Sequence, residues 1–297
     1  MRRLLFLLLV VAVGVGAYGW YRGELPHWGK TARSLFDRIW SGVPIAREPA
    51  ESGAPPPAGA AARIPDDALA ALRSEDAARR NAAWEQLSRL YMKDPAVRDA
   101  LAPHLERFTS TYVLSDWRDD SVAELVNVRP GNNLARLAGR RGTTVEAIKR
   151  INNLNRDTIH PGETLKVLNR PIEVFVSKRE FRLWVTYGGR FLKEMRCGIG
   201  KGNRTPAGSF VIAEKQRNPD WFRPGRPVIP AGDPANELGC CWLGFDDTQN
   251  KGLGIHEARE GRGIGQEASQ GCIRVAKADA DFLYDFLPLR TVVTIME

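Results

Sequence analysis

The chain has 297 residues, of which 43% are hydrophobic and 26% charged, so most of it is expected to form globular cores, and the length allows two or three domains. A formal charge of +8 favours anionic partners such as wall polymers or membrane surfaces, while the absence of basic runs argues against nucleic-acid binding. Four cysteines are too few for a disulfide scaffold.

Residues 1–22 predict a signal peptide or a signal anchor. Two arginines precede an uncharged apolar run from Leu4 to Tyr21. Its strongest part has the length of a signal-peptide core, and Val15-Gly16-Ala17 fits a cleavage site. Gly19-Trp20-Tyr21 extends the run with aromatic residues typical of membrane interfaces, which favours an uncleaved anchor in the inner membrane. The rest of the chain is therefore expected on the exported side, in the cell envelope.

Two segments without functional motifs follow, at residues 23–63 and 64–115. Residues 23–63 predict a flexible linker, because the stretch around Pro55-Pro56-Pro57 is rich in proline, alanine and glycine. Residues 64–115 predict an α-helical spacer or packing module, because apolar residues recur at roughly helical spacing. Asp94-Pro95 fits the start of a further helix.

Residues 124–169 predict a compact strand–helix–helix–strand unit. A short apolar strand is followed by a turn at Pro130-Gly131, and Asn133 is placed to cap the first helix. Thr143, with Glu146 three residues later, has the pattern of a capping box for the second helix. Residues 164–167 close the unit as a strand.

This unit resembles the LysM domain, a small βααβ fold that binds the N-acetylglucosamine backbone of glycans. The resemblance rests on Pro130-Gly131, Gly142-Thr143-Thr144, Asn152-Asn153-Leu154 and the run from Pro161 to Leu165. Asn132-Asn133 departs from the usual Asp-Thr or Asp-Ser of the family, but asparagine also caps helices. The resemblance implies a glycan-binding groove that uses Gly131, Asn132, Asn133, Leu154, Thr158 and Ile159.

Residues 171–297 predict a mainly β domain, a sheet or sandwich with one helix. Apolar and polar residues alternate from Ile172 to Tyr187, and Gly188-Gly189 fits a two-residue hairpin turn. The helix is predicted at Asp279 to Leu287.

The residues that carry chemistry are concentrated around His256 and Cys272. A thiol attacks carbonyls as its thiolate, and a neighbouring imidazole accepts its proton and later returns it to a leaving amine. Gly271 removes bulk beside the sulfur and allows a turn that directs N–H groups at an oxyanion. Arg274 supplies a fork suited to a carboxylate. A Cys–His pair of this spacing is weak evidence without its local context.

That context resembles the L,D-transpeptidases, the YkuD-like family. The resemblance rests on His256 and Ser269-Gln270-Gly271-Cys272-Ile273-Arg274, on Thr205-Pro206-Ala207-Gly208 and on Pro219-Asp220-Trp221. It implies a catalytic site of Cys272, His256 and Gly271, and substrate-binding residues Arg274, Ser269, Gln270, Thr205 and Trp221. Two residues depart from the pattern of the family: Gln270 stands where many members have a second histidine, and Glu257 stands where many have a glycine. These departures put the choice of acyl acceptor in doubt more than the catalytic competence.

The resemblance also implies the reaction. Cys272 would take an acyl group from a tetrapeptide stem of peptidoglycan, release D-alanine and pass the acyl group to an amine, forming a 3→3 cross-link. An L,D-carboxypeptidase, in which water accepts, and a non-catalytic wall-binding protein are the alternatives. A papain-like peptidase fits poorly, because its nucleophile precedes its histidine. No cofactor or metal is expected, since the four histidines lack ligand spacing.

Overall fold

The fold was analysed in a computed structural model that describes residues 63–223, 225–246 and 252–297. The predicted signal anchor and all but the last residue of the predicted linker lie outside these residues. Every helix in the described ranges is too short or too polar to span a bilayer.

Within residues 63–123 the structure has three α-helices: α1 (Asp66–Ala71), α2 (Ala77–Lys93) and α3 (Arg98–Tyr112). The Asp76 carboxylate caps α2 by accepting the backbone N–H of Ala78 at 2.8 Å. Asp94 and Pro95 start a single 3₁₀ turn between α2 and α3, as their sequence pattern predicted for a helix start.

The LysM unit consists of β1 (Glu124–Asn127), α4 (Leu134–Arg141), α5 (Val145–Ile151) and β2 (Thr164–Val167), with β1 and β2 antiparallel. The predicted strand–helix–helix–strand order is confirmed. Thr144, not Thr143, caps α5 by accepting the Ala147 N–H at 2.9 Å. The predicted cap is off by one residue because the Thr143 N–H still closes the end of α4 on the Ala138 carbonyl.

The transpeptidase-like part is mainly β, as predicted. Its helix α6 runs from Lys277 to Phe286, two residues earlier at its start than predicted. Its strands are β3 (Ile172–Ser177), β4 (Arg182–Tyr187), β5 (Arg190–Gly200), β6 (Gly208–Arg217), β7 (Cys241–Phe245), β8 (Gly254–Glu257), β9 (Glu267–Ser269), β10 (Ile273–Val275) and β11 (Val292–Met296). Their order in the sheet is β10-β8-β7-β6-β11-β3-β4-β5-β9. The edge strand β10 also pairs with β5, which lies near the opposite end of this order.

The helices α2 and α3 pack on β5 and share one hydrophobic core with the sheet. Trp84 is fully buried there, and its indole N–H donates to the Phe191 carbonyl at 2.9 Å. Tyr91 lies edge-on to Phe191, with 4.8 Å between ring centroids. The helical segment is therefore part of the body of the transpeptidase-like domain and does not act as a free spacer.

The LysM unit has a small core of its own and makes polar contacts with both of its neighbours in the chain. The ammonium group of Lys166 donates to the carbonyls of Tyr112, at 2.7 Å, and Ser115, at 2.9 Å, at the end of α3. Burial lowers the pKa of Lys166 to about 8. On the other side, Arg150 of α5 pairs with Asp285 of α6 at 2.9 Å.

Candidate active site

Strand register places the side chains of His256 and Cys272 on one face of the sheet. β8 and β10 run parallel, with Ile255 opposite Ile273 and His256 opposite Arg274. Alternate residues of a strand share a face, so Cys272 and His256 are diagonal neighbours on adjacent strands. Two residues sixteen positions apart in sequence thus lie on the same face of neighbouring strands, because their strands pair directly.

The His256 ring is buried, with 3% of its surface exposed. Its Nδ1 lies 2.8 Å from the carbonyl oxygen of Glu257. A carbonyl only accepts hydrogen bonds, so we assign the proton of the neutral ring to Nδ1, which leaves Nε2 free to accept a proton. Burial lowers the pKa of His256 to about 4, and the charge of Arg274 acts in the same direction.

The Cys272 thiol is half-buried. Its Sγ–H donates to the Gly252 carbonyl at 3.3 Å. Burial raises the pKa of the thiol, although the Gly254 backbone N–H and the positive charge of Arg274 oppose this. With one pKa raised and the other lowered, thiol and imidazole are both neutral at pH 7, and the imidazole acts as a base only when a substrate is attacked.

The turn before Cys272 is fixed by two buried hydroxyls. Gly271 has a φ of +144°, and a Cβ on it would lie 3.2 Å from the Arg204 carbonyl oxygen, so only glycine fits. Its N–H donates to Ser269 Oγ at 3.0 Å, and its carbonyl accepts from Thr205 Oγ1 at 2.6 Å. Ser269 Oγ also donates to the Cys272 carbonyl at 2.6 Å.

These bonds change the roles expected for three residues. Thr205 is 0% and Ser269 2% exposed, so neither has the accessible surface that a direct substrate contact needs. Both hold the nucleophile turn in place instead. The Gly271 N–H points at Ser269 Oγ, and a contact with an oxyanion would require that bond to be exchanged.

The remaining polar residues of the motif have partners within the protein. Arg274 forms an ion pair with Glu237, so its fork already holds a carboxylate. The Gln270 side chain accepts from Arg204. The Glu257 carboxylate accepts the Cys240 N–H at 2.7 Å.

A cleft with a volume of about 250 Å³ opens at Cys272. Trp221, predicted to bind substrate, lies in its wall. The other lining residues are Glu214, Gln216, Pro219, Asp220, Phe222, Leu238, Trp242 and Gly252. His256 and Arg274 do not line it. Sequence reasoning missed Glu214, Gln216 and Trp242, whose only signal was alternation within strands.

The predicted glycan-binding residues of the LysM unit surround two turns. Asn132 accepts the Arg129 N–H at 3.1 Å and Asn133 caps α4, so both side chains shape their own turn. The Gly131 carbonyl accepts from the Arg136 guanidinium at 2.8 Å. On the second turn Thr158 is exposed, whereas Ile159 is buried and Leu154 packs on the domain core.

One cluster outside the cleft has the composition of a metal site. Ligand atoms of Cys240, Cys241 and Asp281 lie within 4.8 Å of one another. However, Arg217 lies 3.1 Å from the Cys241 sulfur and also pairs with Asp281, which Lys277 contacts at 2.9 Å. The side chains of Arg217 and Lys277 therefore already neutralise the ligand atoms that a metal ion would need, and this cluster does not favour a metal site.

A thiol at an open cleft and a buried imidazole on the same face of a mainly β domain are the groups that a cysteine acyltransferase uses. Comparison with known proteins agrees. The description of the YkuD family, an L,D-transpeptidase catalytic domain, matches residues 171–295, and that of the LysM domain matches residues 126–168.

Two Bacillus proteins whose names place them among the L,D-transpeptidases are similar in sequence. YqjB of Bacillus subtilis is 32% identical over 42% of this chain and 70% of its own length. YkuD of Bacillus licheniformis is 29% identical over 58% of this chain and 98% of its own length. The chain belongs to the YkuD family of L,D-transpeptidases.

Among solved structures, an L,D-transpeptidase from Mycobacterium smegmatis matches at 20% identity with a TM-score of 0.36. The match covers 46% of this chain and 64% of that one, somewhat less than two thirds. The sequence relatives alone carry the assignment.

Proposed function

We propose that Cys272 and His256 catalyse acyl transfer between stem peptides of peptidoglycan. The Sγ proton passes to Nε2 of His256 as the sulfur attacks the carbonyl carbon of the third residue of a tetrapeptide stem. The C–N bond to D-alanine then breaks, and the imidazolium returns the proton to the leaving amine. The product of this half-reaction is a thioester on Cys272.

The second half-reaction uses an amine of another stem. The amine attacks the thioester carbonyl and gives its proton to His256, the C–S bond breaks, and the sulfur recovers the proton. A 3→3 cross-link results, and the enzyme returns to its neutral resting state. The observation that carries this proposal is the pairing of β8 with β10, which puts the half-buried Cys272 thiol and the buried His256 ring at diagonal positions on one face of the sheet.

Muropeptide analysis with purified wild-type and Cys272→Ala proteins tests the proposal. The wild type is expected to release D-alanine from tetrapeptide muropeptides and to form cross-linked dimers. The Cys272→Ala variant is expected to do neither, since alanine has no nucleophile. Turnover by that variant would show that another group carries the acyl intermediate.

The domain layout and location complete the proposal. Residues 124–169 bind glycan strands through the two LysM turns, residues 171–297 carry the catalytic domain, and residues 64–115 support it. Residues 4–21 anchor the protein in the inner membrane, with the linker of residues 23–63 reaching toward the wall; the uncharged apolar run supports this. Expression in cells and fractionation tests it: a full chain recovered in the soluble fraction, without a high-salt wash, would refute the anchor.

A further inference from the structure

Four residues form a straight row across the face of the sheet that carries Cys272. Glu214 of β6 lies opposite Gly244 of β7, and Gly244 lies opposite Gly254 of β8. Because Ile255 pairs with Ile273, the residue that continues the row beyond Gly254 is Cys272. Strands are ~4.8 Å apart, so the row spans roughly 14 Å between the Cα atoms of Glu214 and Cys272.

A β-bulge places Glu214 in this row. Ile212 pairs with Phe245 and Glu214 pairs with Gly244, the next residue of β7. Ala213 therefore has no partner on β7 and is the extra residue of the bulge. Without the bulge Ala213 would lie opposite Gly244, and the carboxylate would point to the other side of the sheet. Bulges are frequent beside active sites, where they redirect a side chain in this way.

The Trp242 indole lies over the two glycines in the middle of the row. A Cβ on Gly244 would lie 2.7 Å from Trp242 Nε1, and a Cβ on Gly254 would lie 2.7 Å from the far edge of the indole. Glycine at both positions lets the ring lie on the sheet between Glu214 and Cys272. The floor of the cleft between carboxylate and thiol is therefore a flat, partly exposed aromatic surface.

The cleft has the opposite charge to the whole chain. Among its described lining residues the charged ones are Glu214 and Asp220, and none is a lysine or arginine. Asp220 accepts the Ala231 N–H at 2.7 Å, whereas the side-chain contact described for Glu214 is with the neutral amide of Gln216. In a chain of formal charge +8, this favours a ligand with a positive group at the Glu214 end.

We propose that Glu214 is a specificity-determining residue that binds the terminal ammonium of a diamino acid, the residue whose carbonyl carbon Cys272 attacks. The methylene groups of that side chain lie on the Trp242 indole. An extended lysine-type side chain places its amine roughly 7 Å from the carbonyl carbon. This side chain and a hydrogen bond of ~2.8 Å to the carboxylate together cover roughly 10 Å of the row. The side chains of Glu214 and Cys272 cover the rest. This inference rests on the proposed function and names the donor residue that the site selects.

Paired donor peptides test the inference. One tetrapeptide carries lysine at its third position and the other norleucine, which lacks the amine. The wild type is expected to release D-alanine from the lysine peptide with a kcat/KM about tenfold higher. Glu214→Gln is expected to lose most of this preference by slowing turnover of the lysine peptide alone, and Glu214→Asp to retain part of it.

Two controls make the outcomes distinct. Glu85→Gln, the same substitution on the exposed side of α2, is expected to leave both rates unchanged. Alkylation of Cys272 by iodoacetamide at the wild-type rate shows that Glu214→Gln keeps an intact site. A preference that is absent in the wild type or equal in both proteins overturns the inference while the proposed function stands. No release of D-alanine from either peptide by the wild type overturns both.

Discussion

At the scale of single residues, the site is distinguished by a thiol and an imidazole that are both neutral at rest. Burial is the larger cause for each: it raises the pKa of Cys272 and lowers that of His256 to about 4. The pKa of His256 in the folded protein lies below its ordinary value of 6.5. As the pH falls, the His256 ring is therefore protonated in the unfolded chain before it is protonated in the folded protein. The contribution of His256 to stability is therefore lost as the pH falls from 6.5 toward 4.

The neutral pair predicts how the reactivity of Cys272 depends on pH. Iodoacetamide alkylates only the thiolate. Because the pKa of Cys272 is raised, the fraction of thiolate increases continuously from pH 6 to 9. The rate of iodoacetamide modification, followed on the Cys272 peptide by mass spectrometry, should thus rise throughout this range. A rate that is already constant from pH 5 upward would indicate a resting thiolate–imidazolium pair and contradict the assignment.

The sequence revealed some residues of the site better than others. Cys272 lies in a contiguous motif, Ser269 to Arg274, and His256 lies at the spacing before it that the resemblance requires, so their chemistry could be recognised before the fold was known. The burial of Thr205 and Ser269 depends on contacts between distant segments, and their positioning role was not visible in the sequence. Glu214 faces the cleft only because Ala213 is bulged, and an alternating pattern read without the bulge assigns it to the wrong face.

At the scale of elements, the helices before the LysM unit complete the hydrophobic core of the catalytic domain. The sequence predicted helices but could not predict their partner, because an apolar helix face does not say which sheet it covers. Trp84 of α2 and Phe191 of β5 are 107 positions apart and joined by a hydrogen bond. Arg98 at the start of α3 pairs with Glu180 after β3. The catalytic domain therefore depends on residues outside the segment that its family description covers.

Substitution of Trp84 tests this dependence. Trp84→Ala removes a fully buried indole and leaves a cavity, so the free energy of unfolding should fall by about 3–5 kcal/mol. Trp117→Ala is the matched control, because Trp117 is 49% exposed, and a change within ~0.5 kcal/mol is expected. Urea unfolding monitored by circular dichroism measures both. Equal effects of the two substitutions would mean that α2 is only loosely attached.

At the scale of the whole molecule, the LysM unit is joined to the catalytic domain by apolar packing as well as by charged contacts, because Ile151 of α5 belongs to the same hydrophobic core as Phe282 and Phe286 of α6. Asp285 of α6 pairs with Arg150 of the LysM unit and with Arg217 of β6. Under the proposed function, a glycan strand bound at the LysM turns would lie at a restricted distance from the cleft, and this would raise the local concentration of stem peptides there. Motifs in the sequence predicted both domains. They did not predict this attachment, because an apolar residue such as Ile151 does not reveal which helix it packs against.

The central claim, a covalent acyl-enzyme on Cys272, is tested most directly by peptide mass mapping. The wild-type protein is mixed with a tetrapeptide donor without an acceptor amine, quenched in acid and digested. The account predicts that the peptide containing Cys272 gains the mass of the tripeptide acyl group, and that hydroxylamine removes it, as expected of a thioester. Acylation of Cys197, Cys240 or Cys241 instead, or D-alanine release with no acylated Cys272 under single-turnover conditions, would contradict it.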